Sequence, residues 1–312
     1  GKLVEVYGDT GNGKTTAMLH LAANAQEAGL SVAYVDAEHR LDLGYAERLG
    51  VDVDNLILSQ PSSGEKALDV VAAICDAAAE NPNAPGVPGL VIVDSVAALV
   101  PQAELEGDNE QAGMALQARM IGKGVRKIVA TAAAGNVCVV FINQTRVKVG
   151  VMFGNPETTP GGNALKFFTS IRIRLGSAGY IEVGGKENRV GKRVSAKVEK
   201  NTYASPFRTV EYDLIFGKGV DHIGEVLDHC VARGIVEIKG THLSLDGESI
   251  GQGRPKAKEN LASPQHAATL AKLEAKLAAH FAANGFQAAA KGKKGDNKDE
   301  PPHDPETGEV TA

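Results

Sequence analysis

Short apolar runs alternate with longer amphipathic stretches along the first half of the chain. Leu3-Val-Glu-Val-Tyr7, Ser31-Val-Ala-Tyr-Val-Asp36, Asn55-Leu-Ile-Leu-Ser59, Leu90-Val-Ile-Val-Asp94 and Val137-Cys-Val-Val-Phe-Ile142 read as short buried strands. Thr16–Ala28, stopped by Gly29, Glu65–Glu80, opened by Ser62-Ser63, and Met114–Ala134 read as helices between them. Strands alternating with helices predict an α/β fold. Phe167–Leu175, Val194–Asn201 and Val210–Phe216 read as three further strands, the first carrying the alternation Ile171-Arg-Ile-Arg174. The pattern then changes. Asp221–Arg233 reads as a helix, His242–Ile250 as a hairpin around Asp246-Gly247, and roughly Pro264–Ala283 as a last helix, together a small separate α+β unit. Beyond Gln287 the residues are Ala, Gly and Lys and then acidic and Pro-rich, which predicts a disordered, mildly acidic tail. The expected domains are therefore 1–218, 219–286 and a tail at 287–312.

Chemistry concentrates where the apolar runs end. Gly8-Asp9-Thr10-Gly11-Asn12-Gly13-Lys14-Thr15 follows a strand and opens a helix that continues with Thr16, and it fits G-x-x-x-x-G-K-[ST] at every fixed position. Glycines let backbone N–H groups approach a phosphate, and the helix N-terminus favours its charge. Lys14 would reach the β/γ-phosphates and the Thr15 hydroxyl would hold Mg²⁺. Asp94, ending an apolar strand, is the second half of such a nucleoside-triphosphatase site and a candidate for Mg²⁺ or its water. Parallel sheets place chemistry at strand carboxyl ends, so Glu38 after the second strand is a candidate to activate water, against the alternative of a solvated charge. Gln144, after the fifth apolar run, is a candidate γ-phosphate sensor, and Tyr45 either lies against a base or packs.

Immediately after Gln144 comes Thr145–Ala164, about twenty residues without a period, of the kind that is usually functional inside a compact domain. Between Asn143 and Arg174 the basic residues are Arg146, Lys148, Lys166, Arg172 and Arg174, and the only acid is Glu157. A loop that starts at the nucleotide and is basic along its length suggests ATP-gated binding of a polyanion. Another polar stretch spans Glu104–Gly113 and reads as a mobile loop. Arg119, Lys123, Arg126 and Lys127 on the next helix either form a wet face or meet phosphates.

Bulk composition narrows the choices. The chain has 312 residues, 43% hydrophobic and 23% charged, with net charge −5, so any nucleic-acid contact must come from a local basic surface. No apolar run approaches the roughly 20 residues of a membrane span. Three scattered cysteines, Cys75, Cys138 and Cys230, suit a reducing cytoplasm better than a disulfide scaffold. The absence of Trp and the scarcity of other aromatics argue against base-stacking platforms.

Taken with Asp36-Ala-Glu-His39, Val91–Leu99, Phe141-Ile-Asn-Gln144, Val149–Thr159, Gly161-Gly-Asn-Ala-Leu-Lys-Phe167 and Ile250-Gly-Gln-Gly253, the chain resembles the bacterial RecA recombinase family from Gly1 to about Ala283. The resemblance implies a mostly parallel central sheet extended by antiparallel strands. It implies an ATP- and Mg²⁺-dependent helical filament on single-stranded DNA, which pairs with homologous duplex DNA and exchanges strands in recombination, repair and the SOS response. It implies roles for Lys14, Thr15, Asp94, Glu38 and Gln144 as above, and adenine contacts from Asp42 and Tyr45. DNA loops would lie at about 106–115, with Met114 as a wedge, and at 145–166, with Val149 as a wedge and Arg146, Lys148, Gly161, Gly162 and Asn163 at the backbone. Arg119, Arg126 and Arg172 match DNA-binding or interface positions, and Phe167 a subunit contact. Lys200 matches a lysine that reaches the neighbouring subunit's ATP. Repressor-type proteins are expected as further partners and membranes are not, and the expected location is cytoplasmic.

Three departures qualify these expectations. Thr202 stands where the family has a second lysine, which predicts slower DNA-stimulated hydrolysis, and Phe216 stands where the family usually has Tyr. The sequence begins at Gly1, shortly before the phosphate loop, without the N-terminal helix and strand that the family docks onto the next protomer; filament growth is expected to be weak if the whole protein lacks them, and not if the sequence is a fragment. The competing functions are a ring-forming translocase on the same core and a non-motor regulator that binds ATP and DNA.

Overall fold

A computed structural model describes residues 1–81, 84, 86–107, 113–147, 157–185 and 187–284, with no side-chain account of 113, 114 and 147. In chain order the elements are β1 (Leu3–Gly8), α1 (Lys14–Glu27), β2 (Ser31–Asp36), α2 (Leu43–Arg48), β3 (Leu56–Ser59), α3 (Gly64–Glu80) and β4 (Pro88–Asp94). Then follow α4 (Gln102–Glu106), α5 (Gly113–Ala134), β5 (Cys138–Gln144), β6 (Arg146–Val147), β7 (Glu157–Thr158), α6 (Gly162–Phe168), β8 (Ile171–Glu182), β9 (Arg189–Asn201), β10 (Thr209–Ile215) and β11 (Gly219–Val220). The last stretch holds α7 (His222–Ala232), β12 (Glu237–Lys239), β13 (His242–Leu245), β14 (Glu248–Gln252), α8 (Gly253–Leu261) and α9 (Ala267–Asn284).

Nine strands form one sheet in the order β11-β10-β9-β8-β1-β5-β4-β2-β3. From β8 to β3 every neighbouring pair is parallel, and β9, β10 and β11 extend the sheet antiparallel. The apolar strands are continuous because both faces are covered. Ala33, Val35, Val91, Val93, Val139 and Phe141 pack with α3 and α5, and the intervening Val32, Tyr34, Leu90, Ile92, Val140 and Ile142 pack with α1 and α2. Ser63 caps α3 by accepting a hydrogen bond from the Lys66 N–H.

Chain packing divides the molecule into Gly1–Asp221 and His222–Ala312. The expected break after 218 moves to Asp221 because β11 pairs with β10 in the large sheet. The second unit has its own core of Val226, Leu227, Cys230, Leu243, Leu245, Ile250, Leu261 and Leu273 around the sheet β12-β13-β14. Its hairpin turns at Asp246 and Gly247, both at positive φ.

Four expectations need correction. Phe167 and Phe168 end a helix instead of starting a strand, and β8 begins at Ile171. The polar stretch from Glu104 starts in a short helix, α4. The loop 145–166 has ordered feet, since β6 and β7 pair through Arg146↔Thr158 and Val147↔Glu157 and α6 starts at Gly162. The strand β12 and the helix α8 were not expected at all. The tail at 287–312 lies outside the described residues.

Candidate functional site

The carboxyl ends of β1, β2, β4 and β5 meet around one cavity of about 250 Å³, lined by Thr10, Gly11, Gly13, Lys14, Thr15, Thr16, Glu38, Asp94, Ser95, Ile142 and Gln144. The phosphate loop forms one wall. Gly13 sits at φ 74°, and a Cβ there would collide with the Leu214 side chain, so only glycine lets the chain turn into α1 at this point. The Lys14 ammonium is mostly buried and lies across the loop, donating to the Gly8 and Asp9 carbonyl oxygens at 2.9 Å each. Burial lowers its pKa, while Asp94, Asp9 and Glu38 oppose that shift.

Opposite the loop, Asp94 Oδ2 accepts hydrogen bonds from the Thr15 hydroxyl at 2.8 Å and the Tyr34 phenol at 2.7 Å. Burial pushes the Asp94 carboxyl up, as do the charges of Glu38 and Asp36, and its two hydrogen bonds pull the other way. The same burial beside Asp94 raises the Tyr34 phenol far above its ordinary range, so it stays a donor. A divalent ion suits this pair, because a hydroxyl and a desolvated carboxylate are hard oxygen donors that a cation would stabilise. Among the described residues no cluster of three or more His, Cys, Asp or Glu could hold a metal alone, so such an ion would also draw on phosphate oxygens and water.

Glu38 is placed by the turn after β2. Buried Asp36 accepts hydrogen bonds from the Arg40 and Leu41 N–H groups and from the Gln60 side chain, and Ala37 N–H donates to the Asp94 carbonyl oxygen at 2.7 Å. Glu38 Oε1 then accepts from the Ser95 hydroxyl at 2.5 Å and from Gln144 Nε2 at 3.3 Å. A carboxylate held by two donors on one oxygen keeps one geometry at the cavity wall, which suits a base for water. Arg40 lies 4.0 Å from its other oxygen, at an exposed position.

The site therefore brings together Gly8 through Thr16, Glu38, Asp94 and Gln144. Asp42 and Tyr45 lie at the start of α2. The Asp42 carboxylate caps that helix by accepting from Tyr45 N–H, and the Tyr45 hydroxyl sits 3.1 Å from Thr16 Oγ1. Lys200 is not part of this cavity. It lies on β9 and donates to the Lys166 and Phe167 carbonyl oxygens at 3.0 and 2.9 Å, capping the end of α6. Ser95 and Tyr34, which hold the two carboxylates, were missed. Ser95 directly follows Asp94 at a strand end and could have been found from that position; nothing local marks Tyr34.

Among the expected DNA-contacting residues, Arg119 and Arg126 are exposed on α5, seven residues apart on one face, with exposed Lys123 between them. Arg146 is exposed at the start of β6, and Asn163 is exposed in the first turn of α6. Gly161 has φ 92°, and a Cβ there would press on Val96 and Ile121 at 3.2–3.3 Å. Lys148 and Val149 lie outside the described residues, as does the Met114 side chain. Arg172 and Arg174, counted in the positive patch along 143–174, are both paired with carboxylates, which lowers the net charge of that patch. Arg172 Nε donates to Glu5 at 2.6 Å and its guanidinium lies 4.6 Å from the Tyr7 ring centroid, while Arg174 binds Glu157 through two nitrogens.

Comparison with known proteins agrees with this geometry. The RecA N-terminal domain model matches residues 1–221, and the RecA C-terminal domain model matches 224–282. The chain is 48% identical over 261 residues to the protein RecA of Gluconobacter oxydans, covering 84% of this chain and 73% of that one. It is 47% identical over 280 residues to that of Rhodospirillum centenum, covering 90% and 75%, and 43% identical over 298 residues to that of Heliobacterium modesticaldum, covering 96% and 83%. With both domain models matched in order and relatives 47–48% identical over most of the chain, the chain belongs to the RecA family, the ATP-binding proteins of DNA recombination and repair.

Proposed function

We propose that this chain hydrolyses ATP only when assembled on single-stranded DNA, and that the assembled filament pairs its strand with homologous duplex DNA and exchanges strands in the cytoplasm. The observation that carries the reading is the hydrogen bond between Gln144 and Glu38, because Gln144 is also the last residue before the basic loop 145–166. One side chain thus touches the candidate base and starts the candidate DNA segment. A change at the γ-phosphate that moves Gln144 would be felt at Arg146 and the feet of the loop.

In this reading the phosphate-loop N–H groups and Lys14 hold the β- and γ-phosphates, and Asp42 and Tyr45 border the adenine. Thr15 and Asp94 would hold Mg²⁺, which supplies charge neutralisation at the phosphates. Glu38, oriented by Ser95 and Gln144, takes a proton from the attacking water as the water oxygen bonds to the γ-phosphorus and the bond to the β–γ bridging oxygen breaks. Exposed Arg119, Arg126 and Arg146 meet the DNA backbone without reading sequence, and base pairing selects the homologous duplex. Phe167, 76% exposed, lies on the surface that meets the next protomer.

The test is ATP hydrolysis with and without single-stranded DNA, beside affinity for labelled DNA with a non-hydrolysable ATP analogue or ADP. We expect DNA to stimulate hydrolysis, Lys14→Ala to abolish it, and Gln144→Ala to erase the difference in DNA affinity between the two nucleotides. Equal DNA affinity in both nucleotides for the unmodified chain would sink the reading.

A further inference from the structure

A second lysine serves the phosphate loop from the sheet. Lys192 lies on β9, paired in register with Tyr180 of β8 and Leu214 of β10, and is 9% exposed. Its ammonium donates to the Asn12 side-chain oxygen at 2.7 Å and to the Gly11 carbonyl oxygen at 3.2 Å. Asn12 is itself buried, and its side-chain NH₂ donates to the Leu175 carbonyl oxygen at 3.1 Å. A lysine can only donate and a carbonyl can only accept, so the Asn12 amide has one orientation that satisfies both partners. Gly11 and Asn12, two of the variable positions of the loop, are thereby tied to β9 and β8.

The charge matters as much as the hydrogen bonds. Among the described residues no Asp or Glu lies within ion-pair distance of Lys192, and the Tyr180 ring lies 5.6 Å from its nitrogen. Neighbouring Arg193 is the residue that pairs with Asp213 and Glu211. A mostly buried ammonium with no ion-pair partner among the described residues is costly to the fold and suits a site that binds an anion. The charge of Lys192 acts on Lys14 in the same direction as burial, lowering its pKa.

We propose that Lys192 is a positioning residue of the nucleotide site, which holds Gly11 and Asn12 in the shape that binds phosphate and whose buried charge is compensated by the polyphosphate of the bound nucleotide. This rests on the phosphate loop being the nucleotide site. Affinity should then depend on Lys192 in proportion to the number of phosphates bound.

The experiment titrates the full chain, without DNA and with Mg²⁺, with fluorescent N-methylanthraniloyl derivatives of ADP and AMP at two salt concentrations. The variants are Lys192→Met, Lys192→Gln, which keeps a donor for Asn12 but no charge, Lys192→Arg and Lys14→Ala, each checked for folding by circular dichroism. Loss of the charge should weaken ADP binding about tenfold and AMP binding far less, flatten the salt dependence for ADP, and be largely reversed in Lys192→Arg. Wild-type ADP affinity in either folded neutral variant, or an equal fall for ADP and AMP, overturns the proposal. If Lys14→Ala binds ADP as well as the unmodified chain, the loop is not the nucleotide site, a failure distinct from a silent Lys192.

Discussion

At the scale of single residues, the site is made of groups that the fold holds at a cost. Asp94 is 9% exposed, and burial raises its pKa above that of an ordinary carboxyl. A raised folded-state pKa means that the native protein binds the proton more tightly than the unfolded chain does. The stability from this group is therefore present in acid and lost as pH rises through the raised value, so at neutral pH ionised Asp94 is a net penalty. Asn at this position keeps an oxygen for Thr15 and Tyr34 and removes the charge. We expect Asp94→Asn to raise the melting temperature at pH 7.5 and to raise it much less at pH 4, because only the ionised carboxylate carries the penalty of burial. Scanning calorimetry at the two pH values checks this, and Mg²⁺-dependent ATP hydrolysis should be lost in the same variant. A melting point that falls at pH 7.5 would mean that the carboxylate's hydrogen bonds outweigh its desolvation.

At the scale of elements, three strands are stitched beneath the loop by a polar group that no local pattern announces. Glu5 of β1 has no exposed side-chain surface, yet it accepts from Arg172 of β8 at 2.6 Å and from the Asn143 side chain of β5 at 2.8 Å. Asn143 also donates to the Pro160 carbonyl oxygen at 3.0 Å, tying the exit of the basic loop to the sheet. Arg172→Ala would leave Glu5 with a buried charge and one donor, at a cost of about 3–5 kcal/mol. Glu5→Gln combined with Arg172→Met should recover most of that loss, and urea unfolding of the three proteins measures it. A double variant as unstable as Arg172→Ala would mean that packing on Tyr7, and not the charge, sets the cost. The central strands β2, β4 and β5 were legible because they are apolar on both faces, β8 because it alternates, and the phosphate loop because glycine, lysine and threonine have fixed places in it. Glu5 reads as an interruption of an apolar run, and its partner is 167 residues away. Helix α8 escaped notice because only Ala257 and Leu261 of its nine residues are buried, too thin a stripe to show a period. Gly161-Gly162 could have marked the start of α6, but two glycines read equally well as a loop.

At the scale of the whole molecule, the sheet end where β8 begins and β9 finishes carries an exposed aromatic ring beside a lysine. Phe167 is 76% exposed, and Lys200 donates to the last carbonyls of α6 and does not line the cavity beside the phosphate loop. In the proposed filament, a second copy that presents its phosphate loop to this face would bring Lys200 toward the phosphates proposed to bind there, and position 202 lies two residues farther along. Here Thr202 spends its hydroxyl on the Ser170 carbonyl oxygen at 3.0 Å and brings no charge. One cation where two could act leaves part of the developing phosphate charge uncompensated, and such a group is worth roughly tenfold or more in rate. Thr202→Lys should therefore raise the rate of hydrolysis with saturating single-stranded DNA about tenfold, leave the rate without DNA unchanged, and leave nucleotide affinity of the unassembled chain unchanged. Lys200→Ala should lower the same DNA-stimulated rate, again with intact nucleotide binding. Steady-state hydrolysis across protein concentration separates this from a fold effect, because a group acting between protomers changes only the assembled rate. A gain that persists without DNA and at high dilution would place the new lysine over its own nucleotide and remove the interface from the explanation.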